Sequence, residues 1–443
     1  ELEADFHRFL INYLLMPHEG NFEKSLSRTE WKALNFKLYE IILPESKTKE
    51  DGKTPKDFIS FMEQFYASML AIARDVQNKD NDYYTLEIAK PNNSNEVSFF
   101  VSVYKEVSDL FEKSLLALFP DATVKYSNED YNIFSSEGFQ VAAYASPVKT
   151  SALPFRTYDK IDGDPISLIM SSFTKLQKKG EGAAMQIVVR PAGEKFFKKY
   201  STMLDSLRKG DTLKRVLDRE SFIKDFISTF QEANKTKEEL EKAKGKPRKL
   251  EDEKAEQNIA HKLGSTILDT NLRLVVNASD LPRAKSILNE IASTFRQYSE
   301  TDSNSLQFKV LEGKRLNEEV HNFIYRLWSE DQSLPLNFKE LATFYHLPSY
   351  VKNFSQLKKV DAAVAPAPMD LPQQGLFLGV NQYRHLTTNV FIPEKDRLRH
   401  VYVIGQTGTG KSVMLKNMII QDIKAGHGCC FIDPHGQDFL EIL

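Results

Sequence analysis

Cysteine is almost absent from this sequence. The only two, Cys429 and Cys430, are adjacent, so no disulfide framework can brace the chain, and in an apolar run they read as small core residues of a reduced cytosolic protein. Net charge is nearly absent as well, with 59 Lys and Arg against 61 Asp and Glu. No global field attracts nucleic acid, so any such contact has to come from a local surface or from a ring of subunits. Long apolar runs are missing too. Phe9 to Met16, the longest near the start, is too short to cross a bilayer. The nine histidines are scattered without ligand spacing, so no metal centre built from protein side chains alone is expected.

What is present is ordinary globular material, 41% hydrophobic and 27% charged over 443 residues, enough for roughly two to four domains with cores of their own. The chain opens at Glu1 without methionine and stops at Leu443. Both ends read as cuts in a longer polypeptide, and a membrane anchor upstream stays open.

Residues 1–82 read as a helical region, with pieces near 3–16, 28–42 and 55–76. The last carries Phe58, Phe61, Met62, Phe65, Met69 and Ile72 at three- and four-residue steps after Pro55, which is the stripe of a core-facing helix. Residues 83–315 read as an α+β domain. Strands near 83–90 and 97–104 flank the hairpin signal Pro91-Asn92-Asn93-Ser94-Asn95; a helix ended by Pro120 and a strand from Ala122 to Ser127 follow. Further strands are expected at 138–146 and Met185 to Arg190, with a helix around 165–178 between them. A strand Leu272 to Val276, a helix over 281–298 and a strand Leu306 to Leu311 repeat the order of 97–127. This doubling suggests a ferredoxin-like repeat with helices on one face of a mixed sheet.

An insertion at about 211–263 has different chemistry. Fourteen of the twenty residues from Lys235 to Lys254 are charged, with both signs mixed around the turn Gly245-Lys246-Pro247, the pattern of a helical hairpin projecting into water. It reads first as a solvated arm and second as a docking arm, and its many glutamates argue against nucleic acid. The stretch before it interleaves Lys195, Lys198, Lys199 and Arg208 with Phe196, Phe197 and Tyr200. That combination could track a single strand by charge and stacking, but at helical spacing it is more simply an amphipathic helix. Residues 316–373 supply short helices at 317–328 and 338–346 and a Pro/Ala linker at 361–373, extended by its prolines. Residues 374–443 then begin a nucleotide-binding domain, with strands near 375–380 and 388–392.

That last assignment rests on Gly405-Gln406-Thr407-Gly408-Thr409-Gly410-Lys411-Ser412, which follows the apolar run Val401-Tyr402-Val403-Ile404 and precedes a helix-patterned segment. The residues match a complete phosphate-binding P-loop in its required context. Glycines let successive main-chain amides curl around a polyphosphate, and the next helix turns its positive end toward the same anion. Lys411 is the expected catalytic cation at the β- and γ-phosphates of ATP, and the Ser412 hydroxyl is the expected Mg²⁺ ligand.

The following helix carries Leu415, Met418, Ile419 and Ile423 on one face and stops at Gly426, a suitable residue past a helix end. Cys429-Cys430-Phe431-Ile432 then reads as a buried strand ending in Asp433-Pro434-His435-Gly436. Ligands of parallel sheets sit at the carboxyl ends of strands, which places Asp433 and His435 at the nucleotide edge. A GTP-switch reading of this segment fails on spacing, since helix and strand use up the interval from Ser412. It is either a Walker B strand with Asp433 near magnesium or, as preferred, the second strand of the sheet, with Walker B and the catalytic acid beyond Leu443.

Together with Tyr383-Arg384 and Asp396-Arg397-Leu398-Arg399-His400, these motifs resemble the FtsK/HerA superfamily, above all the type IV secretion and conjugative coupling ATPases. The resemblance covers residues 375–443. A weaker likeness reaches Phe61-Met62-Glu63-Gln64-Phe65-Tyr66 and Glu340 to Pro348. It implies a hexameric ring motor that hydrolyses ATP with Mg²⁺ to drive DNA or a secreted protein through a membrane-embedded channel, working in the cytoplasm at the inner face of the membrane. The expected fold class is α/β plus α+β: an amino-terminal helical and ferredoxin-like α+β region with a charged helical-hairpin insertion, followed by the start of a RecA-like P-loop parallel sheet. Two other readings stay open, an ATP-binding assembly scaffold without transport and a P-loop enzyme of another branch.

Overall fold

Pro91 to Asn95 turn the chain back on itself, and β2 (Tyr84–Lys90) and β3 (Ser98–Tyr104) pair antiparallel on either side. The computed structural model describes residues 34–44, 54–70, 83–177, 179–218, 250–348, 357, 359–360, 367–368, 370–383, 386–406 and 408–432. Two units divide the chain, Glu1–Asp361 and Ala362–Leu443.

In the first unit, β1 (Phe36–Pro44), α1 (Pro55–Met69), β2, β3, α2 (Ser108–Leu118) and β4 (Thr123–Ser127) follow one another. Their strands lie in the order β4-β1-β3-β2, every neighbour antiparallel. The next stretch repeats this. β5 (Phe139–Pro147), α3 (Ile166–Phe173), β6 (Gly182–Pro191), β7 (Ile267–Ala278), α6 (Leu281–Thr294) and β8 (Leu306–Leu311) give the order β8-β5-β7-β6, again antiparallel. Each half is a βαββαβ unit with the split connectivity called ferredoxin-like. β2 pairs antiparallel with β6, so the halves join edge to edge in one sheet. Between β6 and β7 lie α4 (Lys195–Arg208) and α5 (Leu250–Leu263).

Helices α1, α2, α3 and α6 share one core with alternate positions of the central strands, among them Leu86, Phe99, Val101, Met185, Ile187 and Leu274. Pro55 opens α1 at a position whose N–H needs no helical partner, and the Thr54 N–H donates to Asp57 Oδ2 at 2.6 Å. The stripe on α1 is a core face, with Met62, Phe65, Tyr66 and Met69 buried and Phe58 and Phe61 packed partly buried against the same core, while Ile72 lies outside the described residues; each full burial contributes about 1.5–3 kcal/mol.

The opposite face carries α7 (Lys314–Ile324), whose Val320 and Phe323 join a smaller cluster with Phe100, Ala142, Ala184 and Val275. Leu38, Ala89 and Ile133 belong to the same cluster, and a largely polar row crosses the sheet beside it. Lys125, Glu40, Phe100, Glu87, Gln186, Arg273, Tyr144 and Lys309 form one row in register across the eight strands. Glu87, Gln186 and Arg273 are wholly buried. Beyond α7, β9 (Leu334–Asn337) pairs with β7, α8 (Phe338–Phe344) packs on α1, and β10 (Lys359–Val360) runs parallel to the end of β1.

Several expectations change. Residues 36–44 form β1, not the end of a helix over 28–42, and β1 and α1 are parts of the sheet and its core, so residues 1–82 are not a purely helical region. Residues 316–348 contribute buried Leu334, Leu336, Leu341 and Phe344 to that core instead of merely connecting. On α4, Phe196 and Tyr200 are buried while Lys195, Phe197, Lys198 and Lys199 are exposed, the division of an amphipathic helix. Of the charged arm, 219–249 lie outside the described residues, as do 3–16 and 28–33. No described helix is long and apolar enough to cross a membrane.

In the second unit, β11 (Leu376–Tyr383) and β12 (Leu386–Ile392) form an antiparallel pair with an irregularity between Phe377 and Gly379. A short α9 (Glu394–Arg397) and the long α10 (Lys411–Lys424) follow. Among the described residues, 401–406 and 427–432 carry no strand ladder, so the chain shows a mixed α/β architecture with a mostly antiparallel sheet. Cys429 and Cys430, expected in a core, are exposed.

Candidate functional site

The loop that opens α10 is shaped by backbone conformations that only glycine adopts readily. Gly408 and Gly410 have φ of 85° and 88°, in the left-handed region, where a Cβ costs about 1–2 kcal/mol. Gly410 is the residue that caps α10. At Gly405 the constraint is space: a Cβ would lie 2.6 Å from Thr409 Oγ1 and 3.2 Å from Lys411 Cγ.

The Gln406 carbonyl gathers the loop. It accepts from Thr409 Oγ1 at 2.7 Å, from Lys411 Nζ at 2.8 Å and from the Thr409 N–H at 3.3 Å. Lys411, the first residue of α10, thus folds its ammonium back over the loop, and Ser412 follows it, exposed. The first turn of α10 carries no acidic side chain. An unopposed helix N-terminus, a lysine over the same loop and glycines that leave main-chain amides uncovered make a donor set that fits a polyphosphate.

Gly405, Gln406, Gly408, Thr409, Gly410, Lys411 and Ser412 are therefore brought together on one loop and helix end. Thr407, Asp433 and His435 lie outside the described residues, so their placement at the nucleotide edge is not part of this geometry. The apolar face expected on α10 is only partly covered: Leu415 and Ile423 are exposed, Met418 and Ile419 are half-buried, and no residue of the helix is fully buried. Among the described residues no cluster of His, Cys, Asp and Glu could hold a metal alone. Magnesium here would depend on the Ser412 hydroxyl together with phosphate oxygens.

Two contacts at the far end of α10 escaped sequence reasoning. Arg397 makes a bidentate pair with Asp422, Nη1 to Oδ1 at 2.6 Å and Nη2 to Oδ2, and this holds the Asp422 carboxyl below its ordinary range. Gln421 accepts from the Phe377 N–H at 3.0 Å and donates to the Phe377 carbonyl at 2.9 Å. The only sequence signal was Arg397 itself, in the stretch Asp396 to His400.

A family profile described as a domain of unknown function, DUF8128, matches residues 45–358. The chain belongs to the DUF8128 family. The matched residues lie within the first unit and contain both βαββαβ halves except β1, which ends just before them; the phosphate-loop residues of this DUF8128 protein also lie outside them. No curated protein matches the chain.

Proposed function

We propose that this DUF8128 protein is an ATP-binding motor subunit of the FtsK/HerA type, with a RecA-like nucleotide domain, that couples hydrolysis to movement of DNA or a secreted protein in a type IV secretion or conjugation-like system. The observation that carries the nucleotide part is the loop of left-handed glycines opening α10 with Lys411 folded over it. Main-chain amides from Gly408 to Ser412 would bind the phosphates, Lys411 would swing from the Gln406 carbonyl to the β- and γ-phosphates, and Ser412 would take Mg²⁺. Magnesium supplies neutralisation of charge that develops on the transferred phosphoryl group. The transport part rests on the resemblance of residues 375–443 to the coupling ATPases. So do a homo-hexameric ring, membrane channel components as partners and a place at the inner face of the cytoplasmic membrane.

The test is nucleotide binding and ATP turnover by the intact protein and by Lys411→Ala. The variant should lose most of both; undiminished hydrolysis would defeat the assignment. Binding without turnover in the intact protein would favour an assembly scaffold, and stimulation by single- or double-stranded DNA would favour DNA over protein as the substrate.

A further inference from the structure

α10 is held at its carboxyl end and works at its amino end. Residues 421 and 422 attach it to two different elements: Gln421 fills the hydrogen-bonding positions of the Phe377 main chain beside the irregularity in β11, and Asp422 takes the Arg397 fork from the end of α9. Both ties are rigid in kind. A side-chain amide that accepts from the N–H and donates to the carbonyl of one residue has a single orientation, and a fork-to-carboxylate pair fixes a plane as well as a distance. The pair is partly shielded, with Arg397 27% and Asp422 13% exposed. No residue of α10 is fully buried and Met414, Met418, Ile419 and Ile420 are only half-buried, so these directional polar ties add orientation that partial packing alone supplies weakly.

Lys411 stands eleven positions before Asp422, about 16 Å along the axis, so a small tilt about the tied end displaces the loop by a lever of that length. We infer that Arg397 is a positioning residue for the phosphate loop, acting through Asp422 and the rigid helix to aim the α10 amides and Lys411 at the nucleotide. This rests on the nucleotide-site reading above. Gln421 sets a second constraint on the direction of α10.

The test uses the full chain and a fluorescent ATP analogue with Mg²⁺, measuring both Kd and the number of sites filled. Arg397→Glu and Asp422→Arg should each raise Kd roughly tenfold or more at unchanged stoichiometry, and the exchange variant Arg397→Glu/Asp422→Arg should recover most of the loss. Arg397→Lys, a point charge without the fork, should fall between. A purely structural role would instead lower the number of sites and leave Kd alone, and that result overturns the inference. So does wild-type affinity in Arg397→Glu while Lys411→Ala fails to bind, an outcome that leaves the site reading intact. Absence of binding by the wild-type chain removes both.

Discussion

Gln186 on β6 donates to Glu87 on β2 at 3.0 Å, directly across the one strand pair that joins the two halves of the first unit. Glu87 is wholly buried and is also met by Thr85 Oγ1 at 2.7 Å, Tyr131 Oη at 2.7 Å and Arg326 Nε at 2.8 Å. The centre of the sheet's second face is thus a polar network closed by the residues that follow α7, where an apolar core would be the simpler solution.

Arg326 should therefore be hard to replace. It pairs with both Glu87 and Asp130, and its loss leaves a buried carboxylate uncompensated, at about 3–5 kcal/mol. Its φ of 56° is also left-handed. Arg326→Ala should destabilise by that amount in denaturant unfolding, and Arg326→Gly by about 1 kcal/mol less because the backbone strain disappears. Equal losses in the two variants would show that the backbone is not strained there.

Lys90 gives a pH signature. Its ammonium is buried at the end of β2, donating to the carbonyls of Gln177 and of Glu181, the latter at 2.8 Å, and burial lowers its pKa to about 8. The unfolded chain keeps that proton up to about 10.4, so between these values the unfolded state binds more protons and stability rises with pH. The unfolding free energy of wild type relative to Lys90→Met should climb from pH 8 to pH 10.5. A flat difference across that window would refute the assignment.

Gly182 opens β6 where a Cβ would lie 2.1 Å from the Ile133 carbonyl oxygen. No side-chain rotation relieves a backbone contact. Gly182→Ala should lower stability by at least about 1–3 kcal/mol, seen as a lower melting temperature of the DUF8128 unit; a neutral substitution would mean that the loop at Ile133 shifts freely.

Gly405→Ala addresses the loop instead. The added methyl would press on Thr409 Oγ1 and the Lys411 stem, so nucleotide affinity should fall several-fold while melting of the first unit stays unchanged. Wild-type affinity would show that the loop opens on binding far enough to take a side chain.

Much of this architecture was legible in the sequence, for local reasons. The Pro91 to Asn95 turn, the aromatic stripe of α1 and the repeated order around α2 and α6 each carry a strong short-range signal. β1 did not. Phe36 to Pro44 is almost continuously buried, and a strand packed on both faces loses the alternation that separates it from a buried helix. Glu87, Gln186 and Arg273 were obscured by the opposite effect, since polar residues at alternate strand positions read as solvent-facing until α7 and the residues just after it cover them. At the candidate site the loop announced itself, whereas Arg397 and Asp422 lie 25 residues apart, and nothing local in sequence marks two charges as partners.

The β2–β6 seam has a bearing on how the protein can be cut. Each βαββαβ half alone would present one of these strands as a raw border, with main-chain donors and acceptors unmet and able to recruit a stranger's strand. Each half thus shields the other from self-association. Expressed singly, either should clump or dimerise through that border, and the smallest well-behaved fragment of the first unit is the doublet.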